Sequence, residues 1–429
     1  MKKLLLTALA ISTLAYTSCI EDDDTPIIVE TTSNTTIINE GSGGSGSDCP
    51  VIIKSGGIAL DETWTNDNIY VLDRKVVVQD GVTLNIEPGT IIKGRAGTGS
   101  LSSALIVARG GRLIADGTSA QPIIFTAEAD NISCGETAGT NLDETNDGLW
   151  GGIIVLGRAT CSLPGDVDEL QIEGIPASDT FGLYGPGEDP AIDDDDSGIF
   201  RYISIRHGGS LLGEGNEING LTLGGVGSGT VIDNIEVVAN KDDGIEFFGG
   251  TVNASNLLVW AQGDDALDID QAYSGTIDNA VVVLDVSSDH ALEIDGPEGT
   301  IDGACTLQNL TLIGNGDVGS EYADYRSNAQ ANTNNVYALG FGSSADVELD
   351  NDGVATNYND GLVTFGTWEI VLPEGVTDVT SIFVNKAENV TVTGFGDSAS
   401  AVSEGAQTVG ATTSSLSWTY ANEFGGLGF

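Results

Sequence analysis

Gly229-Thr230-Val231 is followed along the chain by three similar segments: Gly250-Thr251-Val252, Gly275-Thr276-Ile277 and Gly299-Thr300-Ile301. Their first glycines are 21, 25 and 24 residues apart. A period in the twenties, with short apolar runs and no helical spacing between them, is typical of a solenoid of parallel strands. One coil of such a chain cannot bury its own apolar face, so the next coil must cover it.

A second repeat follows in phase with the first. It consists of Gly244-Ile245-Glu246-Phe247, Ala266-Leu267-Asp268-Ile269 and Ala291-Leu292-Glu293-Ile294, in which an acid lies between two apolar residues. An asparagine also recurs near an apolar run after each Gly-Thr pair: Asn234, Asn256, Asn279 and Asn309. Together these patterns predict an all-β protein folded as a parallel β-helix, also called a β-solenoid.

The composition favours strands over helices. Of the 429 residues, 59 are Gly, 10 are Pro and 1 is Met, and Val, Ile and Thr dominate the apolar runs. A hydrophobic fraction of 40% is sufficient for a large core. We therefore expect one folded domain at residues 49–429, a parallel β-helix with a C-terminal cap.

The first residues resemble an export signal. Lys2 and Lys3 precede an apolar run that is too short to span a bilayer, and small residues lead from it to Cys19. This resembles a bacterial lipoprotein signal, which implies a signal peptide at residues 1–18 and a lipid anchor on Cys19. Residues 19–48 are first acidic and then rich in Gly and Ser, so we predict a flexible tether there. The acidic start resembles the export signal of surface lipoproteins in the Bacteroidota, which implies an outer-membrane protein exposed at the cell surface.

The charge balance excludes one class of partner. The chain has 15 Lys and Arg residues and 64 Asp and Glu residues, which gives a net charge of −49. So few cations cannot form a basic patch, and nucleic acid is therefore excluded as a partner. The only two histidines are His207 and His290, and no Cys/His spacing indicates a zinc site.

Four cysteines besides Cys19 allow three disulfide connectivities in an oxidising compartment. Cys134 and Cys161 flank a strand-like run that begins at Trp150, and we predict that they pair. Cys305 lies at an apolar position of the repeat, where a buried thiol is the simplest expectation.

Several stretches carry a resemblance to a known family. They are the strand-turn-strand pattern from Leu84 to Ala127, Leu149-Trp150-Gly151-Gly152-Ile153, the segment from Phe200 to Gly209, and the segment from Ser415 to Ala421. The chain resembles exported right-handed parallel β-helix lipoproteins of the Bacteroidota type, which are similar in fold to pectate lyases and polygalacturonases. The resemblance covers roughly residues 50–429 and implies the fold, but that family has no assigned function.

Acidic residues recur at equivalent positions of successive coils. Neighbouring strands are ~4.8 Å apart, and like charges at that distance destabilise a sheet. Acidic columns therefore need a bound cation, raised pKa values or a basic partner. Alignment of the coils predicts three columns: Glu246, Asp268 and Glu293 on the strand; Asp242, Asp264 and Asp289 at the preceding turn; and Asp270 and Asp295, with Arg326 on top.

Three interpretations of these columns stay open at the level of sequence. They form a solvated acidic face, or they bind calcium, which prefers oxygen ligands, or they catalyse polysaccharide cleavage with Asp264, Asp268 and Arg326. Against catalysis, the His-Gly and Arg-Lys elements that polygalacturonase-like enzymes carry on following coils are missing.

We therefore expect a binding or scaffold module for a glycan or for an outer-membrane partner such as a transporter. The alternative is a calcium-dependent glycoside hydrolase or lyase.

Overall fold

The computed structural model describes residues 34–38, 49–176, 179–211, 218–316 and 320–429. The predicted signal peptide, Cys19 and most of the predicted tether lie outside these residues. One sheet of 26 strands contains nearly all of the regular structure, and its strands are parallel except where the first strand pairs with the second. The predicted all-β parallel β-helix is therefore confirmed.

The strands are short and follow one another at every turn of the coil. In the first half they are β1 (Asn34–Ile38), β2 (Val51–Ile58), β3 (Glu62–Trp64), β4 (Ile69–Val78), β5 (Thr83–Ile86), β6 (Ile91–Gly94), β7 (Ala104–Val107), β8 (Arg112–Asp116), β9 (Ile123–Ala127), β10 (Ile153–Leu156), β11 (Leu170–Gln171), β12 (Leu183–Tyr184), β13 (Gly198–Arg206) and β14 (Leu221–Gly224).

The second half continues the same pattern and adds two short helices. Its strands are β15 (Val231–Val238), β16 (Ile245–Phe248), β17 (Asn253–Trp260), β18 (Leu267–Asp270), β19 (Thr276–Val283), β20 (Leu292–Ile294), β21 (Cys305–Ile313), β22 (Ala323–Tyr325), β23 (Ala331–Leu339), β24 (Val347–Leu349), β25 (Val363–Phe365), β26 (Trp368–Ile370), β27 (Phe383–Asn385) and β28 (Ala399–Ala401). The helices are α1 (Asp352–Asn359) and α2 (Tyr420–Glu423).

Two long stacks of parallel strands form the sides of the coil. Face A consists of β4, β7, β10, β14, β16, β18, β20, β22, β24 and β27 in that order. Face B consists of β13, β15, β17, β19, β21 and β23. The inward residues of both faces, such as Ile245, Leu267 and Leu292, are fully buried and form one continuous core.

An asparagine at the bend of five of the six strands of face B keeps the coils in register; at the bend of β13 the same position is Tyr202. Asn234, Asn256, Asn279, Asn309 and Asn335 all have φ between 55° and 65°, a left-handed conformation that Asn tolerates better than most residues. Their amides also bond from coil to coil: Asn279 Nδ2 donates to Asn256 Oδ1 at 2.7 Å, and Asn335 Nδ2 to Asn309 Oδ1 at 3.0 Å. The recurring asparagine is thus a structural position of the coil.

Two sequence predictions need correction at the N-terminal end. Asn34–Ile38, predicted as part of the tether, forms β1 and pairs antiparallel with β2, as its β-branched residue types favour. Cys134 pairs with Cys49 and not with Cys161; the Cα atoms of Cys49 and Cys134 are 6.0 Å apart.

The reason for the second error lies in the loop after β10. This loop folds back over face A and carries Cys161 into an apolar cluster with Phe248, so Cys161 is a buried free thiol. Cys305 is also buried and free, as predicted.

The C-terminal residues 408–425, here called the strap, run back along face B. Ala411 N donates to Thr311 Oγ1 at 2.9 Å, Trp418 Nε1 to Asn234 Oδ1 at 3.3 Å, and Ala421 N to Glu236 Oε1 at 2.7 Å. Its apolar residues cover an apolar strip of face B that includes Val238, Leu258 and Val281. Within the described part of the chain, no helix is long and apolar enough to cross a bilayer.

Candidate functional site

One outward position of face A can be followed through nine successive coils. In the first three coils it is apolar, and the loop after β10 covers it with Leu163, Ile172 and Tyr184. In the last five coils it is always an acid. In register order the position is occupied by Val77, Ile106, Ile154, Thr222, Glu246, Asp268, Glu293, Asp324 and Glu348.

We call the five acids of this position the strand column. The predicted alignment of Glu246, Asp268 and Glu293 is therefore confirmed, and the structure extends it by Asp324 and Glu348. All five acids are between 5% and 8% exposed, although they lie on the outward face of the sheet. A solvated acidic face, which was one of the three interpretations, does not describe them.

A second acidic column lies beside the first and was not predicted. We call it the turn column, and its members are Asp243, Asp265, His290, Glu321 and Asp346. Backbone bonds align its middle part: Gly244 N donates to Asp265 O at 2.8 Å and Ala266 N to His290 O at 3.0 Å. Each of its first four members lies three residues before an acid of the strand column. This constant spacing is the sequence pattern from which the turn column could have been predicted.

The predicted turn acids lie one residue before the turn column and are more accessible. Asp264 and Asp289 are exposed and Asp242 is half-buried. We call these three the rim acids. Carboxylate oxygens of Asp242, Asp243 and Asp264 lie within 4.8 Å of one another, so the rim and the turn column meet at Asp243.

Basic side chains neutralise the negative charge of the acids in the later coils of both columns. His290 Nδ1 is 2.7 Å from Asp265 Oδ1 and 3.4 Å from Glu293 Oε2. Arg326 pairs with Glu293, and its Nε is 2.8 Å from Asp295 Oδ2. The predicted placement of Arg326 on top of Asp295 is therefore confirmed.

The last coil is compensated in the same way. Lys386 pairs with Glu348, and its Nζ is 3.8 Å from Asp346 Oδ2.

The acids around His290 change the pKa of its imidazole. Burial alone would lower its pKa, but the hydrogen bond that its ring donates to Asp265 and the charges of Asp265, Asp289 and Asp324 raise it to about 9.

Three acids of the two columns, Asp243, Glu246 and Asp268, have no such basic partner among the described residues. Oxygen atoms of Asp243, Glu246 and Asp268 lie within 4.8 Å of one another, and all three side chains are at least nine-tenths buried. Burial raises the pKa of each carboxyl well above its usual range, and the charges of neighbouring acids raise it further. Within the described residues, their hydrogen bonds and ion pairs include no Lys, Arg or His. We call these three residues the buried triad.

Asn219 contacts the buried triad from the side. Its Nδ2 donates to Glu246 Oε2, so its Oδ1 points away from that carboxylate. Neither Asn219 Oδ1 nor Asp268 Oδ1 accepts a hydrogen bond from the described part of the protein, and both residues are more than nine-tenths buried. Such orphan acceptors are uncommon in folded proteins.

An open cavity of about 390 Å³ lies beside the columns. Its lining consists of Asp270, Asp295, Gly296, Glu298, Arg326 and Ser327. Burial, followed by the charges of Asp295 and Glu298, raises the pKa of Asp270 to about 7, although Arg326 opposes the change. Gln271 Nε2 donates to Glu298 Oε2 at 2.9 Å and holds that carboxylate at the wall.

The three predicted catalytic candidates do not meet in one accessible place. Asp264 is exposed, yet partial burial together with the charges of Asp265 and Asp289 raises its pKa to about 6. Asp268 is only 8% exposed and belongs to the buried triad. Arg326 is held by Glu293 and Asp295, so it is not a free base.

The predicted metal ligands divide into separate groups. Glu246 and Asp268 meet with Asp243, whereas Asp242 and Asp264 meet with the other side of Asp243. Glu293 groups with Asp265 and His290, and Asp289 Oδ2 is 4.0 Å from His290 Nδ1. A further group contains Glu321, Asp346 and Glu348.

Comparison with known families agrees with this architecture. The family model of the pectate-lyase-like β-helix domain matches residues 56–422. The chain belongs to the pectate-lyase-like β-helix family. Comparison with curated proteins and with solved structures gives no match. Membership of the pectate-lyase-like β-helix family explains the coil, and it is compatible with either a binding or a polysaccharide-degrading role.

Proposed function

We propose that this protein is a lipid-anchored binding module at the cell surface and that the cavity of Asp270, Asp295, Glu298 and Arg326 binds a glycan. The observation that carries the proposal is the cavity itself. It is open, it has the size of typical small-ligand sites, and polar groups that are already held in place surround it.

The chemistry of the lining favours a neutral glycan. Carboxylates accept hydrogen bonds from sugar hydroxyls, and a guanidinium donates to ring and hydroxyl oxygens. Three acids and one arginine line the cavity, and Asp295 and Glu293 already engage that arginine. A polyanionic glycan would meet net negative charge both here and over the whole molecule.

A second candidate function is hydrolysis of the bound glycan. The observation in its favour is that Asp270, with a pKa raised to about 7, shares the cavity with Asp295. A carboxyl that is protonated near neutral pH is the group that a general acid needs, and a neighbouring carboxylate can act as base or nucleophile. Hydrolysis would thus use Asp270 and Asp295 instead of the predicted Asp264 and Asp268.

One experiment separates the two functions. Purified protein is incubated with panels of neutral and acidic polysaccharides, and both retention on the glycan and new reducing ends are measured. We expect binding of a neutral glycan without cleavage, and loss of that binding in Asp295→Asn. The matched control is Asp264→Asn, which changes an exposed acid outside the cavity.

Cleavage that disappears in Asp270→Asn would establish hydrolysis. Neither binding nor cleavage would indicate a protein partner, such as a transporter of the outer membrane.

The anchor is tested separately because Cys19 lies outside the described residues. Cys19→Ala is expected to abolish palmitate labelling in cells and to move the protein out of the membrane fraction. Unchanged labelling of the Cys19→Ala protein would contradict the lipoprotein proposal.

A further inference from the structure

A second open cavity lies near the N-terminal end of face A, where the chain turns after β4, β7 and β10. Its volume is about 260 Å³, and its lining consists of Gln79, Asp80, Ala108, Arg109, Arg158, Thr180 and Phe181. The first five of these residues lie within two positions of the ends of those strands, and the last two belong to the loop after β10. Three coils and one loop thus form this cavity, which shares no lining residue with the cavity of Asp270 and Asp295.

Arginine is concentrated in this lining. The whole chain has 15 Lys and Arg residues, yet two of the seven lining residues are arginines. Arg109 is held in place by the loop after β10: its Nη1 donates to Gly185 O at 2.9 Å and its Nη2 to Glu169 Oε2 at 2.6 Å. These bonds use two of the five N–H groups of the guanidinium. Arg109 is therefore fixed at the cavity wall before a ligand arrives.

Arg158 is engaged much less. Its Nη2 is 3.8 Å from Asp80 Oδ1, which is beyond hydrogen-bond distance. Within the part of the chain that the structure describes, this is the only acid paired with the guanidinium, and the guanidinium donates no hydrogen bond. The side chain of Arg158 is 28% exposed, whereas that of Asp80 is 75% exposed. A mostly covered cation thus keeps its donors open at the wall of a cavity.

The turn at Gly110 leaves a path to these donors. Gly110 has φ 85°, a left-handed conformation that favours glycine. A Cβ atom at this position would collide with Asp80 Oδ1 and would lie 3.3 Å from Arg158 Nη2. The absence of a side chain therefore allows a carboxylate to approach Arg158 from this direction. Asp80 uses the path only loosely, since its carboxylate stays largely in water.

We propose that this cavity binds a small monocarboxylic acid with an apolar body, whose carboxylate contacts Arg158 and Arg109. A planar guanidinium presents paired donors that match the two oxygens of a carboxylate. The apolar body would lie against Ala108, which is buried, and against Phe181, which packs on the apolar cluster under the loop after β10. This site is separate from the glycan cavity proposed above and does not depend on it.

Volume and charge restrict the ligand. The cavity is slightly smaller than the ~300–1,000 Å³ of sites for drug-sized molecules, so it has room for about one ring. Three acids surround the arginines: Asp80 and Glu169 pair with them, and Asp195 accepts a hydrogen bond from the backbone N–H of Arg158. These acids oppose a second negative charge on the ligand, and the net charge of −49 opposes a polyanion. A neutral molecule would leave Arg158 without a counter-charge.

The test uses benzoate as the probe and the mature chain at pH 7.5. Saturation-transfer NMR follows the ligand at low salt, where its attraction to the arginines is only partly screened. For so small a molecule we expect a dissociation constant on the order of a millimolar. Benzamide has the same shape without the charge and should bind at least tenfold more weakly. Inorganic phosphate, mostly a dianion at this pH, should not displace benzoate at equal concentration.

The same chemistry is also found at the end of a peptide chain. An acetylated dipeptide that ends in phenylalanine is therefore titrated beside benzoate. Weaker binding of the dipeptide would assign the cavity to free acids, and tighter binding would assign it to chain ends. Either result supports a site for a carboxylate with an apolar body, provided that the amidated dipeptide does not bind.

Four variants locate the ligand. Arg158→Gln should weaken benzoate binding at least tenfold. Its matched control is Arg112→Gln, which removes the same charge from an arginine that pairs with Asp196 outside the cavity, and which should change binding by less than twofold. Asp80→Asn should strengthen binding two- to threefold, because it removes the carboxylate that competes for Arg158. Phe181→Ala should weaken the binding of benzoate and leave that of acetate, which has no ring, unchanged.

The gain in Asp80→Asn keeps the proposal testable even if Arg158→Gln does not fold, because a purely structural ion pair predicts no gain. Three results would overturn the proposal: no binding of benzoate to the wild type at about 20 mM, which is well above the expected dissociation constant, equal binding of benzamide, or undiminished binding to folded Arg158→Gln. Weaker binding to Asp80→Asn would also overturn it. An equal loss in Arg112→Gln would show that charge in general, and not this cavity, attracts the ligand.

Discussion

The two ends of face A use the same backbone position in opposite ways. Near the N-terminal end the outward residues Val77, Ile106 and Ile154 are apolar and lie under the loop after β10. Further along, the same position carries the strand column, in which each acid faces another acid one coil away. The coil tolerates both, because strand pairing depends on the backbone and on the inward residues. The outward side chains of a β-helix are therefore free to serve function, provided that something removes their mutual repulsion.

The largest expected effect comes from placing an acid at the apolar end of this outward position of face A. Ile154→Asp should lower the free energy of unfolding by about 5 kcal/mol, because it removes a buried apolar side chain and buries a charge without a partner. Urea unfolding of this variant is compared with that of Ile154→Val, for which a loss of about 1 kcal/mol is expected. Equal losses in both variants would show that the two halves do not differ in their tolerance of charge.

Removal of a compensating cation should have the next largest effect. Arg326→Gln should lower the free energy of unfolding by about 2 kcal/mol at pH 8, because Glu293 is left buried with less compensation. The matched control is Arg201→Gln. Arg201 is similarly exposed, but its partners Asp116 and Asp233 are 47% and 26% exposed, whereas Glu293 is 8% exposed. The control should change by less than about 1 kcal/mol, and a loss as large as that of Arg326→Gln would contradict the role assigned to buried acids.

Lower pH should stabilise the folded protein. Burial raises the pKa of Asp324 to about 6 and that of Asp270 and Glu321 to about 7, so the folded state binds protons more tightly than the unfolded chain. The penalty from these acids is present at pH 8 and is relieved as the pH falls through 7 and 6. His290 acts in the same direction, since its stabilising charge is lost as the pH rises through about 9.

The melting temperature should therefore rise by several degrees between pH 8 and pH 5. Asp324→Asn, which removes one of the groups with a raised pKa, should show a smaller rise. A melting temperature that falls steadily over this interval would mean that the columns are not strained at neutral pH.

The smallest effect is expected at the rim. Asp289→Asn should change the free energy of unfolding by less than about 0.5 kcal/mol, because Asp289 is exposed and water screens its charge. Urea unfolding at pH 7.5 measures this change. A change above about 1 kcal/mol would show that the rim acids share the electrostatic strain of the buried columns.

The strand column could be predicted from the sequence because two periods define it. Within the strand, side chains alternate between the two faces of the sheet, so Glu246 points outward while its neighbours point inward. The period of the coil then aligns Glu246 with Asp268 and Asp268 with Glu293 on neighbouring strands. The Gly-Thr repeats were a poorer guide to register. Val231 pairs with Asn253 and not with Val252, and Ile301 lies in a loop and is 47% exposed. The asparagine at five of the six bends of face B is the position that stays in register.

The rest of the site depends on information that local sequence does not contain. Asp242-Asp243 and Asp264-Asp265 are pairs of adjacent acids, and only the path of the turn decides which member is buried. Lys386 reaches Glu348 from a later coil, after α1 and three further strands. The disulfide partner of Cys134 depends on the path of the loop after β10.

The strap has a consequence for the order in which the molecule is completed. Thr412 bonds to Asn279 and Ala421 to Glu236, across 133 and 185 residues of chain. Synthesis delivers these coils long before the strap that covers them, so the strip of Val238, Leu258 and Val281 stays uncovered until residues 408–425 have been made. During that interval the growing chain is exposed to aggregation and to proteases. Binding of the strap thus distinguishes chains that have been synthesised past residue 421 from chains that were interrupted earlier.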